Sequence, residues 1–151
     1  MRVLGLDLGS KTLGISMSDL TKTVASTYKT IRFESDAYDS LLPEIKKIVD
    51  EFQVEEIVLG LPKNMNNTIG PRGEITLAFK DKIEQYMPIK VIMQDERLST
   101  VQATNYMLKA DMSRKKRKEK VDTLAANIIL QSYLDKMKGM RIWTTKKWLL
   151  K

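Results

Sequence analysis

The chain of 151 residues contains no cysteine and no histidine. Disulfides and thiolate metal sites are therefore excluded, and so is catalysis that uses Cys or His as nucleophile, base or zinc ligand. Whatever chemistry the chain performs falls to carboxylates, Lys, Arg, Ser, Thr or Tyr. Long apolar runs are also missing, and no segment approaches the ~18 residues of a membrane span. Met1–Leu8 is too short an apolar run for a signal peptide and carries an acid. These absences lead us to expect a soluble cytoplasmic protein. The length fits one domain with a core that needs no staples, and no repeat, low-complexity tract or linker divides it.

What the chain has in excess is positive charge, +7 in total, unevenly placed. Ser113–Lys120, SRKKRKEK, carries +5 and the tail Gly139–Lys151 carries +4, which leaves the remaining residues together at −2. A near-neutral body with two basic appendages favours a polyanionic partner, although a Lys/Arg run taken alone also fits a solvated loop.

Met1–Asp19, MRVLGLDLGSKTLGISMSD, reads as strand, tight turn and strand. Leu4, Leu6 and Leu8 fall on one face, with Val3, Gly5 and Asp7 on the other. In the second run Leu13, Ile15 and Met17 oppose Gly14, Ser16 and Ser18. Further along, Ala25–Phe33 is a third strand with weak alternation, and Tyr38–Phe52 an amphipathic helix with Leu41, Ile45, Ile48 and Phe52 on one stripe. Glu56–Leu61 is a buried strand, and Pro62–Gly70 a polar loop. Pro71 then opens a helix over Arg72–Met87, with Ile75, Phe79, Ile83 and Tyr86 on one face. Ile89–Gln94 is a fifth strand. A helix capped by Ser99 and Gln102 runs to about Lys109, and a last helix covers Glu119–Met137. The order predicts an α/β fold, a mixed sheet with helices on its faces.

Three acids stand where an acid is locally out of place. Asp7 is a charge inside an apolar strand, which is costly unless paired. Glu96 follows a strand at its C-terminal end, where α/β sheets present their sites. Asp122 opens the last helix next to Ala125, Ala126 and Ile129, small or apolar residues that, with Gly5, would let the helix pack closely on the first strand. Converging carboxylates would repel, and Mg²⁺ or Mn²⁺ relieves the repulsion. Two such ions ~4 Å apart serve phosphodiester cleavage without His or Cys. Spacing alone leaves the ordinary readings open: a first-turn acid for Asp122, a surface residue beside Arg97 for Glu96.

The segments LGLDLGSKTLGISMSD, GLPKNMNNTIGPRG, DERLST and KVDTLAANIIL, in this order, resemble the YqgF/RuvX family over about Met1–Lys138. That family comprises RNase H-like proteins described as Holliday junction resolvases and as nucleases maturing precursor 16S ribosomal RNA. The resemblance implies an RNase H-like fold, with a central five-stranded mixed sheet whose first three strands are antiparallel. It carries over Asp7, Glu96 and Asp122 as metal-binding catalytic acids. It also marks Lys63 and Asn64, in the loop after the fourth strand, for phosphate or sugar contacts. Arg97 is placed to hold a phosphate beside Glu96, or pairs with Asp95. Placed as in the family, Arg114, Lys115, Lys116, Arg117 and Lys118 flank the acids and contact the nucleic-acid backbone, as does Lys11 in the first turn. Where the family often has Lys-Arg, this chain reads Lys11-Thr12, and the loop Asn64–Asn67 lacks the Asp-Gly often found after the Met. The tail 139–151, with Trp143 and Trp148, has no counterpart in the resemblance; it fits a nucleic-acid or membrane-surface helix, or a frayed end.

The expected function is thus a Mg²⁺- or Mn²⁺-dependent nuclease acting at the 5′ end of precursor 16S ribosomal RNA, with ribosome association an accompanying expectation. The alternative substrate is branched DNA, as for a Holliday junction resolvase. That activity needs a dimer making symmetric cuts, and the sequence shows no dimer face. Two rivals differ in class. One is a non-catalytic nucleic-acid-binding factor in transcription or ribosome assembly. The other is a phosphotransferase lobe, because Asp7–Thr12 also looks like the first phosphate loop of the actin and hexokinase superfamily. Those proteins close two lobes on a cleft, and this chain supplies one.

Overall fold

The alternation in Met1–Asp19 produces the hairpin it predicts. In the computed structural model, which describes residues 1–62, 66, 68–95 and 124–140, β1 (Arg2–Leu8) pairs antiparallel with β2 (Thr12–Ser18), from Leu4↔Met17 to Leu8↔Leu13. β3 (Ala25–Arg32) continues the sheet antiparallel to β2, so the first three strands are antiparallel as expected. β4 (Val54–Leu61) joins β1 in parallel and β5 (Lys90–Asp95) joins β4 in parallel, giving the order β3-β2-β1-β4-β5. Tyr38–Ser40 forms a 3-10 turn that leads into α1 (Leu41–Phe52); α2 is Pro71–Tyr86, and residues 124–140 form a helix, α3. The helix expected from Ser99 and the start of the last helix lie outside the described residues. Residues 139 and 140 are still helical, beyond the expected end at Met137.

The sheet separates two apolar layers, and alternation decides which residue enters which. Leu4, Leu6, Leu8, Leu13, Ile15, Met17, Ile57, Leu59 and Val91 pack on one face against Leu41, Ile45 and Ile48 of α1 and Phe79 and Ile83 of α2. Val3, Ala25 and Val58 pack on the other face against Ile129, Leu130, Tyr133 and Leu134 of α3. On α2 the expected stripe is shifted. Tyr86 is exposed, while Gly73 and Thr76 are buried with Phe79 and Ile83. Thr76 enters the core because its hydroxyl donates to the Arg72 carbonyl one turn back, at 2.9 Å, so no donor is left unmet.

β3 explains its own weak alternation. Its register slips by one residue, with Ile15 opposite Lys29 but Ser16 opposite Thr27, so Tyr28 is the extra residue of a bulge. A one-residue insertion exchanges the two faces for everything beyond it. Ile31 and Phe33 therefore pack in the α1 layer, and Thr30 and Arg32 belong to the α3 side.

α3 is held to the sheet at three heights. The Ser16 hydroxyl donates to the Ala126 carbonyl at 2.8 Å, buried. Gln131 bridges the β2–β3 connection, accepting from the Ala25 amide (2.8 Å) and donating to the Thr23 carbonyl (3.0 Å). Tyr133 donates to Glu56 at 2.9 Å; burial, then that bond, pushes its phenol up to about 12. Gly5 makes the approach possible. A Cβ on it would meet the Ser16 hydroxyl, and Leu130 Cβ at 2.8 Å. The close packing expected from Gly5 and the alanines is present.

Two outcomes are expected. Gly5→Ala, forced into this contact, should lower unfolding stability by about 1–3 kcal/mol in urea titration. Gly139→Ala in α3, whose Cβ would meet no other described residue within 4 Å, should be neutral or raise it by up to about 1 kcal/mol. Equal loss in both would remove the steric account. Asp19 supplies the second outcome. Its carboxylate accepts from the Thr21 hydroxyl (2.6 Å) and from the amides of Thr23 (2.8 Å) and Val24 (3.1 Å), which holds its pKa down to about 2 from 3.8. A depressed carboxylate stabilises the fold above its unfolded pKa and ceases to as pH falls through its folded one. Asp19→Ala should flatten the stability profile between about pH 4 and 2, read by chemical denaturation, and leave it parallel to wild type above pH 5.

Candidate active site

β1, β4 and β5 run in parallel, so their C-terminal ends meet at one edge of the sheet: Asp7-Leu8 in the middle, Leu61-Pro62 beside it, Asp95 beyond. Asp7 is half-buried and lies on the α3 side, the next residue on that face after Val3 and Gly5. α3 runs over that same row, with Tyr133 and Leu134 near Val3 and Ala126 at Gly5, so its N-terminal direction leads along β1 toward Asp7. Gly14 is Asp7's partner on β2 and puts no side chain beside it.

The edge is shaped by backbone closures. The Gly9 amide donates to the Thr12 carbonyl at 2.8 Å, closing the β1–β2 turn, and the Phe33 amide donates to the Lys11 carbonyl at 2.9 Å, drawing the end of β3 up to it. The start of α2 is tied in by a run that periodicity could not interpret. Gly70 is the extended N-cap and Pro71 takes the first helical position, where its missing N–H costs nothing. Arg72 then reaches back to β1: one guanidinium nitrogen donates to the Leu8 carbonyl at 2.9 Å, the other to the Tyr38 hydroxyl at 3.3 Å. Gly73 is required because a Cβ there would meet Ile69 and, at 2.8 Å, the Pro62 carbonyl. Arg72 was missed as a site residue; the one signal for it was its place in the GPRG segment.

Of the expected site residues, Asp7 is at this edge and Lys11 is exposed in the adjoining turn. Lys63, Asn64, Glu96, Arg97, Asp122 and the run 114–118 lie outside the described residues, as does all of the tail beyond Met140. Among the described residues no three Asp, Glu, His or Cys converge to hold a metal. Asp7 has the donor chemistry for one, a hard carboxylate oxygen at a strand end with no imidazole or thiolate to compete, which fits Mg²⁺ or Mn²⁺ rather than zinc. Among the described residues no helix is long and apolar enough to cross a membrane.

Comparison with known proteins places this edge in context. A Clostridium botulinum protein named "Putative pre-16S rRNA nuclease" is 54% identical over 137 residues, 91% of this chain and 98% of that one. Proteins of the same name from Caldanaerobacter subterraneus and a Geobacillus species are 50% and 48% identical, over 92% and 89% of this chain and 99% and 98% of their own. Among solved structures, Thermus thermophilus RuvC in complex with a Holliday junction substrate superposes with a TM-score of 0.58 at 14% identity, covering 92% of this chain and 96% of that one. The Fowlpox virus resolvase bound to Holliday junction DNA gives 0.56, also at 14% identity, with 91% and 99% covered. These likenesses establish the RNase H-like resolvase fold. The family model described as "RuvX: Holliday junction resolvase" matches residues 1–136, and with relatives this similar over nearly their full length the chain belongs to the RuvX family.

Proposed function

We propose that the chain is a divalent-metal-dependent nuclease that processes the 5′ end of precursor 16S ribosomal RNA. The observation that carries this reading is the position of Asp7: a carboxylate at the C-terminal end of the central strand, on the face α3 covers, at the edge where three parallel strands end. Two sequence neighbours complete the reading. Glu96, which the family resemblance joins to Asp7, follows Asp95, the last residue of β5, in sequence. Asp122, the third acid of the resemblance, lies four residues before Ala126 in sequence, and Ser16 holds Ala126 against Gly5.

In this reading Asp7, Glu96 and Asp122 hold one or two Mg²⁺ or Mn²⁺ ions, which would lower the pKa of a water and stabilise the leaving oxygen. Arg97 orients the scissile phosphate beside Glu96. Lys11, Lys63, Asn64 and the basic run 114–118 hold the flanking backbone through phosphate charge. Arg72 keeps the end of β1 in place through the Leu8 carbonyl. The relatives' name favours precursor ribosomal RNA. The family description favours four-way DNA junctions as the second reading. Action in the cytoplasm and on ribosome-bound precursor accompanies the first.

The test is cleavage of end-labelled precursor 16S RNA and of a synthetic four-way junction, each with Mg²⁺, Mn²⁺ or EDTA. Metal-dependent cutting of the RNA is expected. Asp7→Asn should reduce it by roughly 10³-fold, the several kcal/mol a catalytic ion supplies, with the unfolding midpoint within a few degrees of wild type. Paired symmetric cuts in the junction alone would move the assignment to the resolvase. Tight binding without cutting under any metal would leave a binding factor.

A further inference from the structure

Arg32 ends β3 and is exposed. Its cross-strand partner is Thr12, and one residue row inward Thr30 faces Gly14, which faces Asp7. Directly paired residues share a face, so Asp7, Gly14 and Thr30 form one row across three strands, and Thr12 and Arg32 form the next row toward the edge. The bulge at Tyr28 is what places Arg32 there. Without it Ile31 would face this side, and Arg32 would lie over α1. The Phe33 amide donates to the Lys11 carbonyl and Phe33 packs in the α1 layer, so Arg32 is the exposed cation on Asp7's face, while Lys11 borders the same end of the sheet from the adjoining turn.

We propose that Arg32 is a phosphate-binding site for the nucleic-acid strand on the β3 side of the cleavage point. This deepens the nuclease reading and rests on it for the position of the cut. Two strand spacings of about 4.8 Å and two residue rises of about 3.4 Å set Arg32 about 12 Å from Asp7. At the rise of about 3.4 Å per nucleotide of a stacked strand, that is three to four nucleotides from the scissile phosphate. The site is thus too distant to share in the chemistry and well placed to fix the strand's path. Lys29 provides the internal control. It lies on the same strand with the same charge, but pairs with Ile15 and lines a surface depression with Pro43 and Lys47 of α1, on the opposite face.

The experiment is anisotropy binding of a fluorescein-labelled single-stranded RNA of mixed sequence in EDTA, as a function of salt, alongside cleavage of precursor 16S RNA. Arg32→Gln should weaken binding about fivefold and reduce the salt slope by about one, while raising KM with kcat unchanged. Arg32→Lys should restore most of the loss, and Lys29→Gln should match wild type. Trimming the RNA on one side of the cut should abolish the difference between wild type and Arg32→Gln; trimming the other side should preserve it. Arg32→Gln binding like wild type, or Lys29→Gln losing as much, overturns the site while leaving the nuclease reading intact. Arg32-dependent binding with no cutting by wild type does the reverse.

Discussion

The functional half of this molecule depends on how closely α3 approaches β1. Gly5 and Gly14 remove side chains from the sheet face, and Ser16 donates a hydrogen bond to a helix carbonyl from the floor of the gap. A larger residue at position 5 would lift the helix from the sheet, with loss of the Ala126 contact and of the burial of Ile129 and Leu130. The hydroxyl at position 16 is buried by the same approach and would be an unmet donor without Ala126. Steric room and polar satisfaction therefore act together, and they fix the height of α3 against Asp7's strand. Gln131 and Tyr133 fix it further along, at the β2–β3 connection and at Glu56. A helix tied at three points cannot slide by a turn without breaking all of them.

The opposite face has a simpler logic. It is an ordinary apolar layer of leucines and isoleucines against two amphipathic helices, tied to the sheet among the described residues by the part-buried bond from Arg72 to the Leu8 carbonyl rather than by a fully buried one like that of Ser16. Burial of these side chains, at about 1.5–3 kcal/mol each, is the main favourable term in folding. The division of labour follows from the pleat. Every second residue of β1 works for stability and the residues between them shape the α3 side, so Asp7 can carry a charge without interrupting the leucine row on which the fold rests.

How much of this was legible in the sequence depended on the range of the interaction responsible. Period-two alternation is local, and it placed Leu4, Leu6 and Leu8 opposite Val3, Gly5 and Asp7 correctly. The carboxylate stood out because an acid interrupts a local apolar pattern. Arg72 could not stand out, because its partner is a main-chain carbonyl at Leu8, and a carbonyl has no sequence signature. Tyr86 was misplaced because α2 buries Thr76 at the cost of one internal hydrogen bond, which shifts the stripe. Arg32 was hidden by the bulge, since counting by twos along β3 puts it on the wrong side. Convergence of Glu96 and Asp122 on Asp7 is a proposal that rests on the family resemblance, because spacing does not record which distant segments meet.

The charge pattern gains meaning from this placement. Carboxylates gathered at one sheet edge repel the phosphates that a nuclease must bring to them, so in the proposed site an ion is needed as much for neutralisation as for activating water. Affinity in the absence of metal then has to come from cations set back from the acids. The proposed Arg32 site meets that condition, and the sequence gathers its excess positive charge in two basic segments while the rest of the chain is close to neutral. Such an arrangement separates two kinds of salt and metal dependence. Holding the strand is governed by monovalent salt through counterion release, and cutting it by the divalent ion. A uniformly basic surface would hold nucleic acid anywhere. Cations confined to the margin of an acidic edge hold it where the acids can act.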